Sequence, residues 1–280
     1  MKQDEKVVKY YDGCLKDYFA IWTTKKDLAL HYGFWDKRTK NKSEALLRMN
    51  KFLADKAGIK QSDVILDAGC GIGGSSIWLA KNYGTRVFGI NISKNHIKLA
   101  NMFAKENRIN HLAKFFVRNF LDTKFKNNSF NVVWGIESVC HANDKKDFIS
   151  EAKRVLKRGG RLIIADGFIK KDRLNKNEKK VLKKWLDGWA VPNISKIKDF
   201  KNYLEMSGFR NIRFFDITEK VIPSSKKLYE YSLIAFPLGK ILEWLNIRSK
   251  TQTGNIIAAY NQYKLLKNGL CSYGVFYAEK

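Results

Sequence analysis

A glycine-rich segment between a predicted strand and a predicted helix is the most specific chemical signal in the sequence. Residues 64–74 read VILDAGCGIGG, so Gly69, Gly71 and Gly74 satisfy the spacing G-x-G-x-x-G. Glycine permits a tight turn and lets a ligand approach bare backbone N–H groups at the start of a helix. The pattern alone predicts a nucleotide-type ligand, and a dinucleotide such as NAD fits it.

Two nearby residues argue against NAD. Asp67 ends the predicted strand two residues before Gly69, where its carboxylate would repel a pyrophosphate but attract an ammonium group. The second predicted strand ends with Gly89-Ile90-Asn91, whereas an NAD site carries a carboxylate there for the ribose. We therefore expect a ligand that carries an ammonium group.

Three titratable residues follow the fourth and fifth predicted strands. His141 comes just after the fourth strand and Asp166 ends the fifth, so both belong at the carboxyl edge of the predicted sheet. An Asp beside a His would fix the tautomer of the imidazole and stabilise its charged form, which suits a general base. Glu137 would either contact a ligand or accept buried hydrogen bonds. The alternative for His141 is a capping or packing role before the helix that begins near Asp144.

Around these residues the sequence resembles the class I S-adenosylmethionine (SAM) methyltransferases. LDAGCGIGG resembles their motif I, GINISKNHIKLA the second-strand segment of one subgroup, and RNFLDTKF their adenine-binding segment. His96 stands where that subgroup commonly has Gln, and Asn119 where the family usually has Asp, so Asn119 would meet the adenine amino group without a charge-assisted bond. The resemblance implies SAM as the cofactor, bound by Asp67, Gly69, Gly71, Gly73, Asn91, Ile92, Asn119, Phe120, Glu137 and Tyr11.

The acceptor half of the sequence resembles several subgroups of the same family. WGIESVCHA is similar to sterol C-methyltransferases and equally to O-methyltransferases of natural-product pathways, and the C-terminal run resembles tocopherol C-methyltransferases. These subgroups share an N-terminal Tyr followed by His-aromatic-Gly-aromatic-Trp, here Tyr11 and residues 31–35. The alternative is that this aromatic stretch only packs in the core. The resemblance implies that His141, Glu137 and Asp166 are catalytic and that Trp22, His31, Tyr32 and Trp35 bind the acceptor.

The elements that must position these residues follow an α/β pattern. From Asp63 onward, short apolar runs alternate with amphipathic segments of helical length, which predicts parallel strands joined by helices. We expect a Rossmann-like, seven-stranded, mostly parallel sheet whose last strand is antiparallel. The predicted organisation is an N-terminal helical lid (1–60), a SAM-binding core (61–217), a helical cap between strands six and seven (218–269) and the last core strand (270–280).

The charge of the chain is strongly positive, with 53 basic and 27 acidic residues and a formal net charge of +26. Of the basic residues 41 are lysine and 12 are arginine, whereas surfaces that read phosphate favour arginine. This lysine-rich composition favours a solvated surface without a charged partner. The alternative is peripheral contact with an anionic membrane surface or an anionic acceptor, and no specific nucleic-acid binding is expected. No apolar segment resembles a secretory signal or a membrane span, so the predicted location is the cytoplasm or the membrane periphery. The four cysteines lack CxxC spacing, and no metal site is predicted.

The predicted function is SAM-dependent methyl transfer to a small, largely apolar acceptor of prenyl, sterol or quinol type, with carbon favoured as the methylated atom. The first alternative is an O- or N-methyltransferase of a natural product, and the second is an RNA-directed methyltransferase. The chain has no Pro-Pro pair after the fourth strand and no Pro-Cys pair. The first absence excludes the DNA and RNA methyltransferases that act on amino groups and need a Pro-Pro turn after the fourth strand. The second excludes cytosine-C5 methyltransferases, which use a Pro-Cys nucleophile. A monomer and a homodimer both stay open.

Overall fold

Short apolar runs form the strands of a single sheet, and amphipathic segments form the helices around it. The computed structural model describes all residues, Met1–Lys280. The strands are β1 (Val64–Ala68), β2 (Arg86–Asn91), β3 (Ala113–Val117), β4 (Phe130–Ile136), β5 (Leu156–Ile169), β6 (Arg210–Asp216) and β7 (Cys271–Glu279). The helices are α1 (Gln3–Ile21), α2 (Lys42–Ala57), α3 (Gly74–Tyr83), α4 (Lys94–Glu106), α5 (Lys145–Val155), α6 (Lys176–Gly188), α7 (Ile197–Met206), α8 (Thr218–Trp244) and α9 (Lys250–Lys267).

The strand order of the sheet is β3-β2-β1-β4-β5-β7-β6. The pairs from β3 to β5 are all parallel, and β7 runs antiparallel to both of its neighbours, β5 and β6. The predicted fold class is therefore confirmed, including the antiparallel last strand. The strand order reverses beside β1, which places the carboxyl ends of β1 and β4 at the point where open α/β sheets bind ligands.

Alternate residues of each strand face opposite sides of the sheet and pack against different helices. Ile65 of β1 belongs to one buried cluster, together with apolar residues of α2, α3 and α4. Leu66, the next residue, belongs to a second cluster with residues of α5 and α7. Because both faces are covered, the strands are apolar on both sides, as buried parallel strands require. This two-sided core holds the ends of β1, β4 and β5 in fixed positions.

The N-terminal and cap segments differ in detail from the sequence-based expectation. Residues 22–41 are not helical, and Gly33 within them packs so tightly on α2 that a Cβ atom would lie 2.5 Å from Ala45 Cβ. The cap contains two helices, since α8 continues through Pro223 and Pro237. Packing along α9 offsets the backbone hydrogen bonds that the two prolines remove. No helix of the protein combines the length and the apolar character needed to cross a bilayer.

A buried ion pair ties the end of α2 to the sheet. Arg161 of β5 pairs with Asp63, and the side chains are 16% and 5% exposed. The same guanidinium donates to the carbonyl oxygens of Ala57 and Gly58 at 2.6 Å, which are terminal acceptors of α2. Removing the guanidinium would leave the Asp63 carboxylate buried beside two unpaired carbonyl groups.

We predict that Arg161→Ala lowers the free energy of unfolding by about 3–5 kcal/mol, the usual cost of an uncompensated buried charge. Chemical denaturation of both proteins measures this difference. Arg158→Ala is the matched control, because Arg158 is exposed on the same strand and has no ion-pair partner. Equal stability of the two variants would contradict the structural role of Arg161.

Candidate functional site

Three carboxyl groups lie together at the carboxyl edge of the sheet. Asp67 lies near the end of β1, Glu137 directly follows β4, and Asp166 lies in β5. All three are buried or half-buried, and two cavities meet between them. We call these the nucleotide cavity, which contains the glycine-rich turn, and the acceptor cavity, which lies under the cap.

The glycine-rich turn forms the floor of the nucleotide cavity. Gly69 and Gly71 line it and have positive φ angles of 92° and 54°, which favour glycine. A Cβ atom at Gly69 would lie 2.4 Å from Ser138 Cβ, so the turn also packs closely on the segment after β4. Gly73 was predicted to bind the cofactor, but it does not line the cavity. Its φ of 91° and its packing against Phe115 explain the glycine instead.

Asp67 is buried with a single hydrogen-bond donor. Its Oδ2 atom accepts a 2.6 Å bond from the Ser76 hydroxyl, and its other oxygen has no protein partner. Burial raises the pKa of the carboxyl from 3.8 to about 7, and the Ser76 bond offsets this only in part. A cationic group of a ligand in this cavity would lower the pKa again and keep the carboxylate charged.

The other predicted cofactor residues also line the nucleotide cavity. They are Asn91, Ile92, Asn119, Phe120, Glu137 and Tyr11. The Asn91 amide oxygen accepts from Ser93 N at 2.8 Å, and the Asn119 amide oxygen accepts from Leu121 N at 2.8 Å. The Asn119 amide nitrogen donates to Asp4, so this amide is fixed by protein contacts on both sides.

Helix α1 covers the nucleotide cavity and is held there by two acidic side chains. Asp4 accepts from Asn119 at 2.8 Å, and Asp12 accepts from the Ser93 hydroxyl and from the Asn95 amide. Ser93 is the N-cap of α4, so Asp12 also places a negative charge at the positive end of that helix. These contacts hold α1 against the nucleotide cavity, which its residues help to line.

The acceptor cavity is apolar and rich in aromatic side chains. Of the 33 residues that line it, 23 are hydrophobic, compared with 12 of 27 in the nucleotide cavity. It is lined by Trp22, His31 and Tyr32, which the sequence predicted to bind the acceptor. Trp35 does not line it, because its indole nitrogen donates to Ser224 at 2.8 Å and its backbone is bonded to Lys220, which holds it against α8.

Five residues line both cavities and form the boundary between them: Tyr11, Leu30, His31, Glu137 and His141. Any group that passes from a ligand in one cavity to a ligand in the other must pass among these side chains. Four of the five carry a polar group. Their arrangement brings together residues from α1, from the segment after it, and from the end of β4.

The hydrogen bonds of His141 define its tautomer. Its Nδ1 atom lies 3.3 Å from the Ala190 carbonyl oxygen, which can only accept, so Nδ1 carries the hydrogen. Its Nε2 atom is then free to accept the hydrogen of the Tyr11 hydroxyl at 3.0 Å. Burial lowers the pKa of His141 to about 4, so the imidazole is neutral near pH 7.

The predicted pairing of Asp166 with His141 is wrong. The carboxylate of Asp166 accepts from the backbone N–H groups of Cys140 and Gly167, each at 2.8 Å. Cys140 and His141 belong to one 3-10 turn, so Asp166 shapes the turn rather than the imidazole. Asp166 still lines the acceptor cavity, and burial raises its pKa to about 6.

Glu137 is held in a backbone conformation that is uncommon for a residue with a side chain. Its φ angle is +50°, and its N–H donates to the Ala165 carbonyl at 2.8 Å. Its Oε1 atom accepts from Tyr32 N at 2.7 Å and from the Tyr273 hydroxyl at 2.8 Å. Burial raises the pKa of this carboxyl to about 8, and no basic side chain offsets the effect. Such strain at a buried carboxyl group points to a functional position.

The residues of the nucleotide cavity fit SAM. The buried Asp67 carboxylate has one oxygen free for an ammonium group, and a side chain on Gly69 would block the turn. Neither Asp67 nor Glu137 has a basic partner, and SAM carries two positive centres. These two carboxyl groups therefore suit a cationic nucleoside better than a pyrophosphate.

Sequence reasoning missed several residues that build the site. Tyr273 of β7 bonds to Glu137, and Trp185 and Trp189 of the α6 region line the acceptor cavity. The single signal was the aromatic content of these segments, which core packing explains equally well. Asp4 and Asp12 were also missed, because their partners lie about 80 or more positions away along the chain.

Comparison with known proteins identifies relatives of this chain. A family model described as a methyltransferase domain matches residues 66–164. The 2-methyl-6-phytyl-1,4-hydroquinone methyltransferase of Synechocystis sp. is 42% identical over 147 residues, which cover 51% of this chain and 45% of that protein. The O-methyltransferase rstn1 of Aspergillus nomiae NRRL is 30% identical over 192 residues, which cover 68% of this chain and 84% of that protein. The match thus spans less than half the length of the Synechocystis relative.

Tocopherol and sterol methyltransferases are also among the relatives, which confirms the resemblance predicted from the sequence. Among solved structures, the [4+2]-cyclase SpnF superposes with a TM-score of 0.83 at 20% identity, covering 100% of this chain and 97% of that one. This likeness shows the fold alone.

We predict that Asp67→Asn reduces the pH dependence of stability in the absence of ligand. Because the folded-state pKa of Asp67 is raised, burial of the neutral acid contributes stability below pH 4 that is lost as pH rises through 7. Between pH 4 and pH 8 the free energy of unfolding of the wild type should therefore fall by up to about 4 kcal/mol more than that of the variant. Urea unfolding at several pH values measures this, with the exposed Asp55→Asn as control. The same slope in the wild type and in Asp67→Asn would contradict the assignment.

Proposed function

The chain belongs to the family of SAM-dependent methyltransferases, and we propose that it transfers a methyl group to a small, largely apolar acceptor, with carbon favoured as the methylated atom. One observation carries the proposal: Tyr11, Leu30, His31, Glu137 and His141 line both the nucleotide cavity and the apolar cavity. This boundary is where a reactive group on a bound nucleoside would meet an apolar acceptor.

The residues of the nucleotide cavity would hold and orient the cofactor. SAM, when bound, supplies an electrophilic methyl group on a sulfonium centre. Asp67 would bind the ammonium group, the Gly69–Gly71 turn would admit the nucleoside to the backbone, and α1 would exclude water from above. Phe120 and Ile92 offer apolar surface to the adenine base.

The acceptor class is inferred from the lining of the second cavity. Aromatic side chains from α1, from the segment after it and from the α6 region share this lining with aliphatic side chains of α8 and α9. Aromatic faces stabilise positive charge as well as apolar groups, which suits an acceptor that becomes cationic on accepting a methyl group. The presence of a phytyl-hydroquinone methyltransferase and a sterol methyltransferase among the relatives supports an acceptor of this kind.

The low pKa of His141 favours carbon over oxygen as the methylated atom. An imidazole whose pKa is about 4 is a weak base, poorly matched to removing a proton from a hydroxyl group. It is adequate for removing a proton from a methylated carbocation, which is strongly acidic. Glu137 and Asp166 would stabilise that cation, because they lie at the same cavity without a direct cationic partner.

The alternative function is O-methylation of a natural product. The Tyr11–His141 hydrogen bond favours it, since a hydroxyl acceptor could take the place of the Tyr11 hydroxyl at Nε2. Relatives named as O-methyltransferases support it as well. In both cases we propose a monomer or homodimer that contacts an anionic membrane surface only peripherally.

An assay with methyl-labelled SAM tests the proposed function. We expect label from SAM to enter a prenylated hydroquinone or a sterol and to appear in the organic phase as an alkali-stable product. Alkali stability excludes a methyl ester, and label that also survives hydriodic acid, which cleaves methyl ethers, indicates a carbon–methyl bond. Transfer that occurs only to hydroxyl groups of polar natural products would contradict the carbon assignment, and transfer to RNA alone would contradict the acceptor class.

We predict that His141→Ala lowers the rate of methyl transfer by about two to four orders of magnitude, the usual contribution of general base catalysis. The affinity for SAM should stay unchanged, because His141 lies at the boundary rather than beside Asp67. Turnover assays and SAM titrations of the same preparation separate the two effects. His111→Ala is the control, since His111 is exposed. Unchanged turnover in His141→Ala would leave this residue with a packing role.

A further inference from the structure

Helix α8 carries large apolar residues on its outer side as well as on the side that faces the protein. The buried positions are occupied by Val221, Ser224, Ser225, Ser232 and Gly239. The opposite side carries exposed Leu233, Ile234, Leu238, Ile241 and Trp244, and Ile247 extends it into the following turn. We call these six residues the α8 apolar face. Ile234 and Trp244 are 80% and 81% exposed.

An ordinary surface helix turns its apolar stripe towards the core and exposes a polar side, whereas α8 exposes large apolar residues on its outer side. A contiguous apolar surface of this kind marks an interaction site. The opposite side of α8 is already packed on α9, so the apolar face has no partner within the chain.

The acceptor cavity reaches the same surface. Tyr231 and Leu238 line this cavity and are nevertheless 39% and 58% exposed. Ser232, Ala235 and Gly239 of the same helix complete this part of the wall. The cavity therefore opens beside the α8 apolar face, and an apolar molecule could pass between them without crossing water.

The net charge of the chain distinguishes two candidate occupants of the α8 apolar face, a second copy of the chain and a lipid surface. A second copy of the chain would bring another net charge of +26 against the first, which opposes association. An anionic lipid surface is instead complementary to this charge. Exposed lysines lie near the α8 apolar face. Lys240 and Lys250 are close to it in the sequence, and α6 carries further lysines and packs on α9, as α8 does.

We propose that the α8 apolar face inserts into one leaflet of an anionic lipid bilayer, and that the acceptor cavity opens towards this leaflet. The helix lies in the membrane interface rather than across the bilayer, in agreement with the absence of a spanning helix. An acceptor dissolved in the bilayer then reaches Glu137 and His141 along the wall formed by α8. This docking deepens the peripheral membrane contact proposed above by assigning the surface that makes it, and it can be tested apart from the reaction because lipid binding requires no methyl transfer.

Flotation with lipid vesicles tests the proposal, with neither SAM nor acceptor present. The full chain should float with vesicles of phosphatidylcholine and phosphatidylglycerol, and less with phosphatidylcholine alone. The double variant Ile234→Asp/Trp244→Asp should bind at least about tenfold more weakly, because two charges replace two inserted apolar side chains. The control is Met102→Asp/Met206→Asp, which adds the same charge at exposed apolar residues of α4 and α7 and should bind like the wild type.

Three outcomes would overturn the proposal. The first is a wild-type chain that does not float with anionic vesicles. The second is an equal loss of binding in both double variants, which would mean that net charge alone attracts the protein. The third is a wild-type dimer in gel filtration that only Ile234→Asp/Trp244→Asp dissociates, which would assign the face to a second copy.

Discussion

The site depends on two carboxyl groups, one buried and one half-buried, that have no basic partner. Asp67 has one hydroxyl donor, and Glu137 has one backbone and one phenol donor. Burial raises the pKa values of these groups to about 7 and about 8, so the folded chain holds them at a cost in stability near neutral pH. A cationic ligand removes that cost. The two unpaired carboxyl groups at the edge of the sheet thus favour the binding of a cation such as SAM.

The lid and the cap both exclude water from these carboxyl groups. A buried carboxyl group keeps its raised pKa, and its strong response to a cation, only while water is excluded. Helix α1 closes the nucleotide cavity through Asp4 and Asp12 and brings Tyr11 to His141. The cap closes the acceptor cavity with apolar residues. The two cavities meet at one boundary because the sheet fixes the ends of β1 and β4 side by side.

The fold was predictable because buried parallel strands are continuous apolar runs, and the glycine-rich turn has few other uses. Asp67 and the turn glycines Gly69 and Gly71 lie where the pattern placed them. The side-chain partners were not predictable: Asp166 bonds to backbone groups instead of His141. Trp35 faces α8 because Ser224, far along the chain, offers it an acceptor. Such long-range choices depend on packing that local sequence does not encode.

The most direct test of a site selective for a cationic nucleoside is thermal denaturation with SAM, S-adenosylhomocysteine and NAD in parallel. Both sulfur compounds carry the ammonium group that Asp67 would bind. At a hundred times its dissociation constant, a ligand adds about 2.7 kcal/mol to stability, which raises the melting temperature by several degrees. We expect this rise with SAM and S-adenosylhomocysteine and none with NAD. A rise with NAD alone would contradict the role of Asp67 and with it the assignment of methyl transfer.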